Sequence, residues 1–490
     1  MTNKTSAHDA AASSGKLGLF ALAAIVVSSM IGGGIYSLPQ NMAAGASAGA
    51  VFLAWVITGL GIYFIARTFS ILAMAKPELT TGIYSYSRAG FGPYIGFIIG
   101  WSYWLCQVCG NVGYAVITMD ALNYFYPGYF AGGNNLASII GGSLIIWGFN
   151  FLVLRGVKQA SVVNTIGTII KIVPLVLFIL VMLFVFHLDK FELDFWGEAV
   201  KTKAQLGDLS TQIKSTMLVT LWSFIGIEGA VVMSSKAKSQ AIIGPATVLG
   251  FLGCLAIYIM LSLLPFGYMN QAELAKVANP STAGILEQVV GKWGAWVMNI
   301  GLVISVLTSW LAWTMITAQI PQSAAIDGTF PKCFAKENKM GAPCVSLIVT
   351  SSAMQLFLLL VYFSNNAWNT MLSITSVMVL PAYLASCAYL WKLCEDGEYP
   401  KGLIYARSNA LFTAILGSIY ALWLIYAAGL KYLLLAVIII AAGIPVYIMA
   451  RKQNAPQEEI FHRSEKCLVC GLMLIAVVAI YALIRGLVQV

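Results

Sequence analysis

The chain has 490 residues, 59% of them hydrophobic and 10% charged, whereas a soluble domain carries about 25% charged residues. A surface this apolar must face lipid, which excludes a string of soluble domains. The formal charge of +9 would favour nucleic acid in a soluble protein, but here the Lys and Arg sit in short loops beside apolar runs, where positive charge orients membrane helices.

Residues 1–16 are polar and rich in Ala and Ser, without the h-region and cleavage site of a signal peptide, and read as a cytoplasmic tail. A hydrocarbon core of about 30 Å needs roughly 20 apolar residues per helix. Thirteen stretches meet that length: 17–44, 49–75, 93–125, 137–154, 162–186, 212–235, 244–266, 291–322, 343–363, 369–391, 409–428, 431–450 and 467–488. With the N-terminus placed inside, 19 of the 28 Lys and Arg fall on the cytoplasmic side and 8 outside, with Lys171 within a span. That excess predicts a cytoplasmic N-terminus and, for thirteen spans, an outer C-terminus. The longest polar connection, about 187–214, is too short for a soluble domain.

The first span is interrupted by Gly32-Gly33-Gly34. Each glycine costs roughly 1 kcal/mol in a helix relative to Ala, and unwound backbone at membrane depth is tolerated only when buried or lining a cavity. The amides such a break frees suit a carboxylate, although close helix packing uses small residues as well. The third span brings Trp101, Tyr103 and Trp104, aromatic faces that attract a cation, and Asp120. Lys171 lies in the middle of the fifth span just before Pro174 and needs a partner, as a held cation, a proton-linked switch or a contact to carbonyls freed by a break.

The sixth span carries the second break, Trp222-Ser223-Phe224-Ile225-Gly226-Ile227-Glu228-Gly229, where two glycines flank an acid that must face a cavity or a partner. Trp222 stands one turn before it, and Trp310 and Trp313 follow in the eighth span. Paired glycine-interrupted spans at matching places point to a transporter site at a repeat interface. The expected organisation is one transmembrane domain, 17–488, with a first repeat at 17–186, a second at 212–391 and peripheral helices at 409–488. His8, His187 and His462 fall outside the spans, so a histidine proton relay is not expected. Cys106 with Cys109, and Cys467 with Cys470, read as packing residues because no second ligand pair accompanies them. No nucleotide-binding loop appears, and no cofactor or metal is called for.

Met30-Ile31-Gly32-Gly33-Gly34-Ile35-Tyr36-Ser37-Leu38-Pro39 and Trp222-Ser223-Phe224-Ile225-Gly226-Ile227-Glu228 together resemble the basic amino acid/polyamine antiporter family of the amino acid–polyamine–organocation superfamily. The likeness extends to Gly82-Ile83-Tyr84-Ser85-Tyr86, Gly90-Phe91-Gly92 and Asp327-Gly328-Thr329-Phe330-Pro331. Pro39 to Ala44, Leu154 to Lys158, and Lys171-Ile172-Val173-Pro174 bring it nearest to the bacterial arginine/ornithine antiporters. The resemblance implies an all-α LeuT-type fold of 12–13 helices, built as a 5+5 inverted repeat with helices 1 and 6 interrupted, working by alternating access. It implies that Ile31, Gly32, Gly33 and Gly34 bind the substrate carboxylate. Carbonyls around Trp222, Ser223 and Ile225 would take the amino group. Trp222 and Trp313 would stack on the cationic side chain, Tyr103 would gate, and Asn111, Ser373 and Thr375 would add polar contacts. Glu228, and by residue chemistry Lys171, would be gating or proton-linked. One departure is Gly33, where arginine/agmatine exchangers of the family often have Ser; another is Lys171, which those exchangers lack.

The expected function is secondary-active exchange of arginine for ornithine across a bacterial inner membrane, by a multi-pass protein whose partners are small cationic amino acids and the bilayer, with a homodimer implied by the family. Exchange of lysine, of histidine for histamine, or of arginine for agmatine, and proton-coupled uptake, stand behind it. A membrane enzyme would need clustered His, Asp or Cys ligands at depth, and a channel would not need two broken helices.

Overall fold

The computed structural model describes residues 18–79, 83–156, 160–228, 238 and 242–487, and every regular element among them is helical. In chain order the helices are α1 (Leu19–Met30), α2 (Leu38–Ala43), α3 (Ala48–Ala75), α4 (Ile83–Phe91), α5 (Pro93–Leu122), α6 (Leu136–Leu154), α7 (Ala160–Phe184), α8 (Leu188–Glu192), α9 (Val200–Leu206) and α10 (Leu209–Ser223). There follow α11 (Ile243–Leu263), α12 (Gln271–Leu274), α13 (Ser281–Val290), α14 (Lys292–Ile326), α15 (Cys344–Leu360), α16 (Ala367–Glu395), α17 (Arg407–Ala427), α18 (Gly429–Ala441), α19 (Ile444–Asn454) and α20 (Arg463–Ile484).

Among the described residues ten helices are long and apolar enough to cross a membrane, and the first span makes an eleventh once its two halves are joined. The remaining expected spans correspond to α7 and to α10, beyond which 229–237 lie outside the described residues, as do 1–17. The protein is therefore an all-α polytopic membrane protein.

Where boundaries differ from expectation, local chemistry explains the shift. The first span is not continuous over 17–44: α1 stops at Met30, Ile31 is extended, and a 3-10 turn at Gly34–Ser37 leads into α2, so that the halves are bent by 51°. Pro39 in the first turn of α2 needs no amide there and fixes the restart. The third span ends at Leu122, and α14 runs on to Ile326, where Gly328 at φ 80° supplies the left-handed residue that closes it. Helix α10 begins at Leu209 because the Asp208 carboxylate accepts from the Thr211 amide.

The connections are more structured than their polarity suggested. The 187–214 segment folds into α8 and α9, and α13 caps α2: Thr282 Oγ1 donates to Tyr36 O at 2.9 Å, and Ser281 Oγ accepts from the Gln40 amide at 3.3 Å. The core is built where α5 packs on α16 and α14, with α1 against α11 and α7 against α14. Helix α20 leans chiefly on α18 and leaves Leu474, Val477 and Ile484 exposed, as suits a peripheral helix facing lipid.

Candidate functional site

The two glycine-rich breaks meet. Ser29 Oγ, in the last turn of α1, donates to Gly226 O at 2.8 Å, and Tyr258 of α11 donates to Met30 O at 3.1 Å. Gly226 sits at φ 107°, and a Cβ there would lie 2.7 Å from Ser29 O, so only glycine lets the two breaks approach.

Each glycine of the first break is opposed by a different side chain. A Cβ on Gly32 would stand 2.6 Å from Tyr114 Oη, on Gly33 2.3 Å from Val306 Cγ2, and on Gly34 1.5 Å from the Trp222 ring. The triplet thus lets α5, α14 and the indole of Trp222 close on one stretch of backbone.

Beside the breaks lies a cavity lined by α1, α5, α10, α11, α14 and α16. Of the residues expected at the site, Gly32, Asn111, Trp222, Ser223, Ile225, Trp313 and Thr375 line it. Asn111 Oδ1, Thr375 Oγ1 and Gln107 Nε2 are buried there without hydrogen-bond partners, so two neutral acceptors and one donor await a ligand. Trp222 meets Trp368 edge to face with centroids 5.2 Å apart, which fixes its ring plane. Among the described residues, no carboxylate or ammonium lines the cavity.

The other expected residues are placed elsewhere. The Ile31 side chain is buried in the apolar core. The Gly32 amide closes a turn on Met30 O at 3.0 Å, whereas no acceptor among the described residues takes the amides of Gly33 and Gly34. Tyr103 and Glu228 bond each other rather than lining the cavity. Tyr103 donates to Glu228 Oε1 at 2.6 Å, while Glu228 Oε2 accepts from the Gly226 amide at 3.2 Å and from Tyr383 at 3.5 Å. Ser373 is buried in α16 away from the lining, whereas Thr375, two residues on and so on the opposite side of the helix, reaches it. Lys171 is buried in α7 and points at the end of α1, its Nζ donating to Ser28 O at 3.4 Å. Its own carbonyl accepts from Tyr36 at 3.2 Å, which ties α7 to both sides of the first break.

Among the aromatic residues singled out from the sequence, Trp101 and Trp104 pack on each other, and the buried Trp310 packs on Phe149, so all three are core rather than pocket. Asp120 lies in the last turn of α5, away from the breaks. Lining residues that the sequence reading missed include Ser29, Gln107, Tyr114 and Tyr258. Gln107 was findable, since it stands one helical turn before Asn111 and shares its face. Tyr258 was not, because nothing in the span sequence sets its phenol apart from a packing residue.

Among the described residues the cavity is walled by indole faces and carries neutral acceptors without a fixed charge, an arrangement that suits a cation. The amino acid permease family model matches residues 17–449. The chain is 61% identical over 480 residues to the arginine/agmatine antiporter of Chlamydia pneumoniae, covering 98% of this chain and 99% of that protein. It is 60% identical over 471 residues to the arginine/agmatine antiporter of Chlamydia abortus, covering 96% of this chain and 97% of that one. Against the arginine/agmatine antiporter of Chlamydia trachomatis serovar L2 the identity is 57% over 465 residues, 95% of this chain and 96% of that one.

Proposed function

The chain belongs to the amino acid permease family, and from that premise we propose that it exchanges extracellular arginine for cytoplasmic agmatine by alternating access, with a cytoplasmic N-terminus. That it is a basic amino acid antiporter and not an enzyme rests on the family and on relatives of that name over nearly the whole chain. The choice of agmatine over the ornithine expected from sequence motifs rests on those relatives' names and on one observation: among the described residues the cavity's lining holds no fixed charge.

Arginine carries one net positive charge at neutral pH, and agmatine, which lacks the carboxylate, carries two. A buried carboxylate in the wall would bind the dication far more tightly than the monocation and slow its release. Trp222 and Trp313 faces with the Asn111 and Thr375 acceptors take the shared guanidinium at about 0.5–2 kcal/mol per ring, similarly for both. The amides of Gly33 and Gly34 then serve the carboxylate of arginine alone. Gly33 in place of Ser removes a hydroxyl that a carboxylate could use but leaves these amides in place. The glycine is thus compatible with agmatine, which has no carboxylate to lose.

The test is arginine uptake into proteoliposomes preloaded with agmatine, ornithine, lysine or buffer, at clamped membrane potential. Arginine–agmatine exchange moves one net charge outward per cycle, so an interior-positive potential speeds uptake and an interior-negative one slows it. Exchange with ornithine is electroneutral and indifferent to potential. Uptake that needs internal ornithine and ignores potential restores the ornithine assignment, and equal uptake into empty vesicles removes obligatory exchange altogether.

A further inference from the structure

A second cavity lies at the basic end of α3, away from the transport site. Its walls are α3, the first turn of α11 and the loop that carries Tyr405. Arg67 lies about 12 Å along the axis from the Ala75 end of α3, the end on the side where Lys and Arg concentrate.

Three features make this a built site rather than a gap. Arg67 forms no ion pair among the described residues, and its Nε is buried without a hydrogen-bond partner, while the face of its guanidinium stacks on Tyr405 at 5.0 Å. Ser70, one turn further along α3, is 2% exposed, lines the same cavity and leaves its hydroxyl unpartnered. Helix α11 opens at Ile243 without a side-chain cap, and Gly244 in its first turn completes the wall. A Cβ on Gly244 would come within 2.7 Å of Ser70 Oγ and 3.3 Å of the Tyr405 hydroxyl, so glycine keeps the space open. Among the described residues, a guanidinium and a buried hydroxyl converge here beside the first turn of α11 with no carboxylate in the lining, a donor set that suits an oxyanion.

We propose that this cavity binds a phosphate group between α3 and α11, supplied by the headgroup of an anionic lipid in the inner leaflet or by free phosphate. Arg67 gives a charged donor whose fork matches phosphate oxygens, Ser70 a neutral one, and the end of α11 its positive dipole. A phosphate there bridges α3 and α11, which pack against the two halves of the first break, and so stabilises the bundle around the transport site without entering it.

The experiment is native mass spectrometry of the purified full-length protein with dioleoylphosphatidylglycerol, with dioleoylphosphatidylcholine as the zwitterionic comparison. A parallel thermal-shift titration uses inorganic phosphate at constant ionic strength. Loss of a charge-assisted donor in Arg67→Gln should weaken binding about tenfold or more, and loss of the hydroxyl in Ser70→Ala about fivefold. Arginine exchange should persist in both. Retention of phosphatidylglycerol over phosphatidylcholine that falls in these variants identifies the lipid. A phosphate response with the same sensitivity, without lipid retention, identifies the soluble anion. Either result upholds the site. Wild-type binding of both probes in Ser70→Ala overturns it, whether or not Arg67→Gln folds, as does the absence of any response in the unaltered protein.

Discussion

At the scale of single residues, Gly33 gives the sharpest test of why the first span breaks where it does. The space that a side chain would need is filled by Val306 Cγ2, with Ile117 Cγ2 3.3 Å away, so the glycine is matched to α14 and not only to a ligand. Overpacking of this kind costs about 1–3 kcal/mol. Gly33→Ala is expected to lower the thermal midpoint, and Val306→Ala in the same chain to recover at least half of that loss; a purely additive double mutant would remove Val306 as the cause. Trp222→Leu makes the complementary point about chemistry. It deletes the indole face while keeping an apolar side chain, and should weaken arginine binding by about 0.5–2 kcal/mol with little change in stability. Isothermal titration with detergent-solubilised protein measures it, and unchanged affinity would take Trp222 out of the site.

At the scale of elements, the breaks were legible because runs of glycine at membrane depth have few other uses, and because a second break stood at the matching place. What the breaks would touch was not legible. Glu228 reads from sequence as an acid facing a cavity or a partner, and the structure gives it partners: its oxygens are taken by Tyr103, Tyr383 and the Gly226 amide, so it pins the second break to α5 and α16. The two tyrosines come from segments more than a hundred positions away, and no local pattern announces them. For Lys171, contact with carbonyls freed by a break is one of the readings its place in the span allowed, and its Nζ does meet Ser28 O, at the negative end of a half-helix dipole. Lys171→Met keeps the length of the side chain and removes the charge. Replacing a buried ion by an apolar isostere is often neutral or stabilising, so the variant should keep its thermal midpoint. Its arginine exchange should still slow about fivefold or more, because the end of α1 loses the contact that links it to α7. If exchange is unchanged at equal stability, the ammonium is a passive occupant of the core.

At the scale of the whole molecule, exchange requires that the two ends of the bundle not open together, and the basic end carries a clasp built from the short helix α4. Tyr84 and Thr329 share a hydrogen bond, Arg88 reaches Asp327 at 3.6 Å, and Lys392 donates to Gly90 O at 2.9 Å, so α4 is tied to the ends of both α14 and α16. The Arg88–Asp327 pair is about a third exposed on each side, which limits it to at most about 1 kcal/mol, and salt screens it further. The buried Tyr84–Thr329 bond is worth about 0.5–1.5 kcal/mol and is not screened. Burial pushes the Tyr84 phenol up to about 12, so the bond is fully present below the ordinary tyrosine range near 10 and is lost only as pH rises through that window. Two outcomes follow for hydrogen exchange of the α4 amides. Arg88→Ala should raise exchange slightly, and only at low salt, whereas Tyr84→Phe should raise it about twofold to tenfold at any salt concentration, with protection factors flat between about pH 5 and 9. Equal effects from the two variants would mean that the clasp is held by surface charge, and that the closed end of this exchanger would loosen as ionic strength rises.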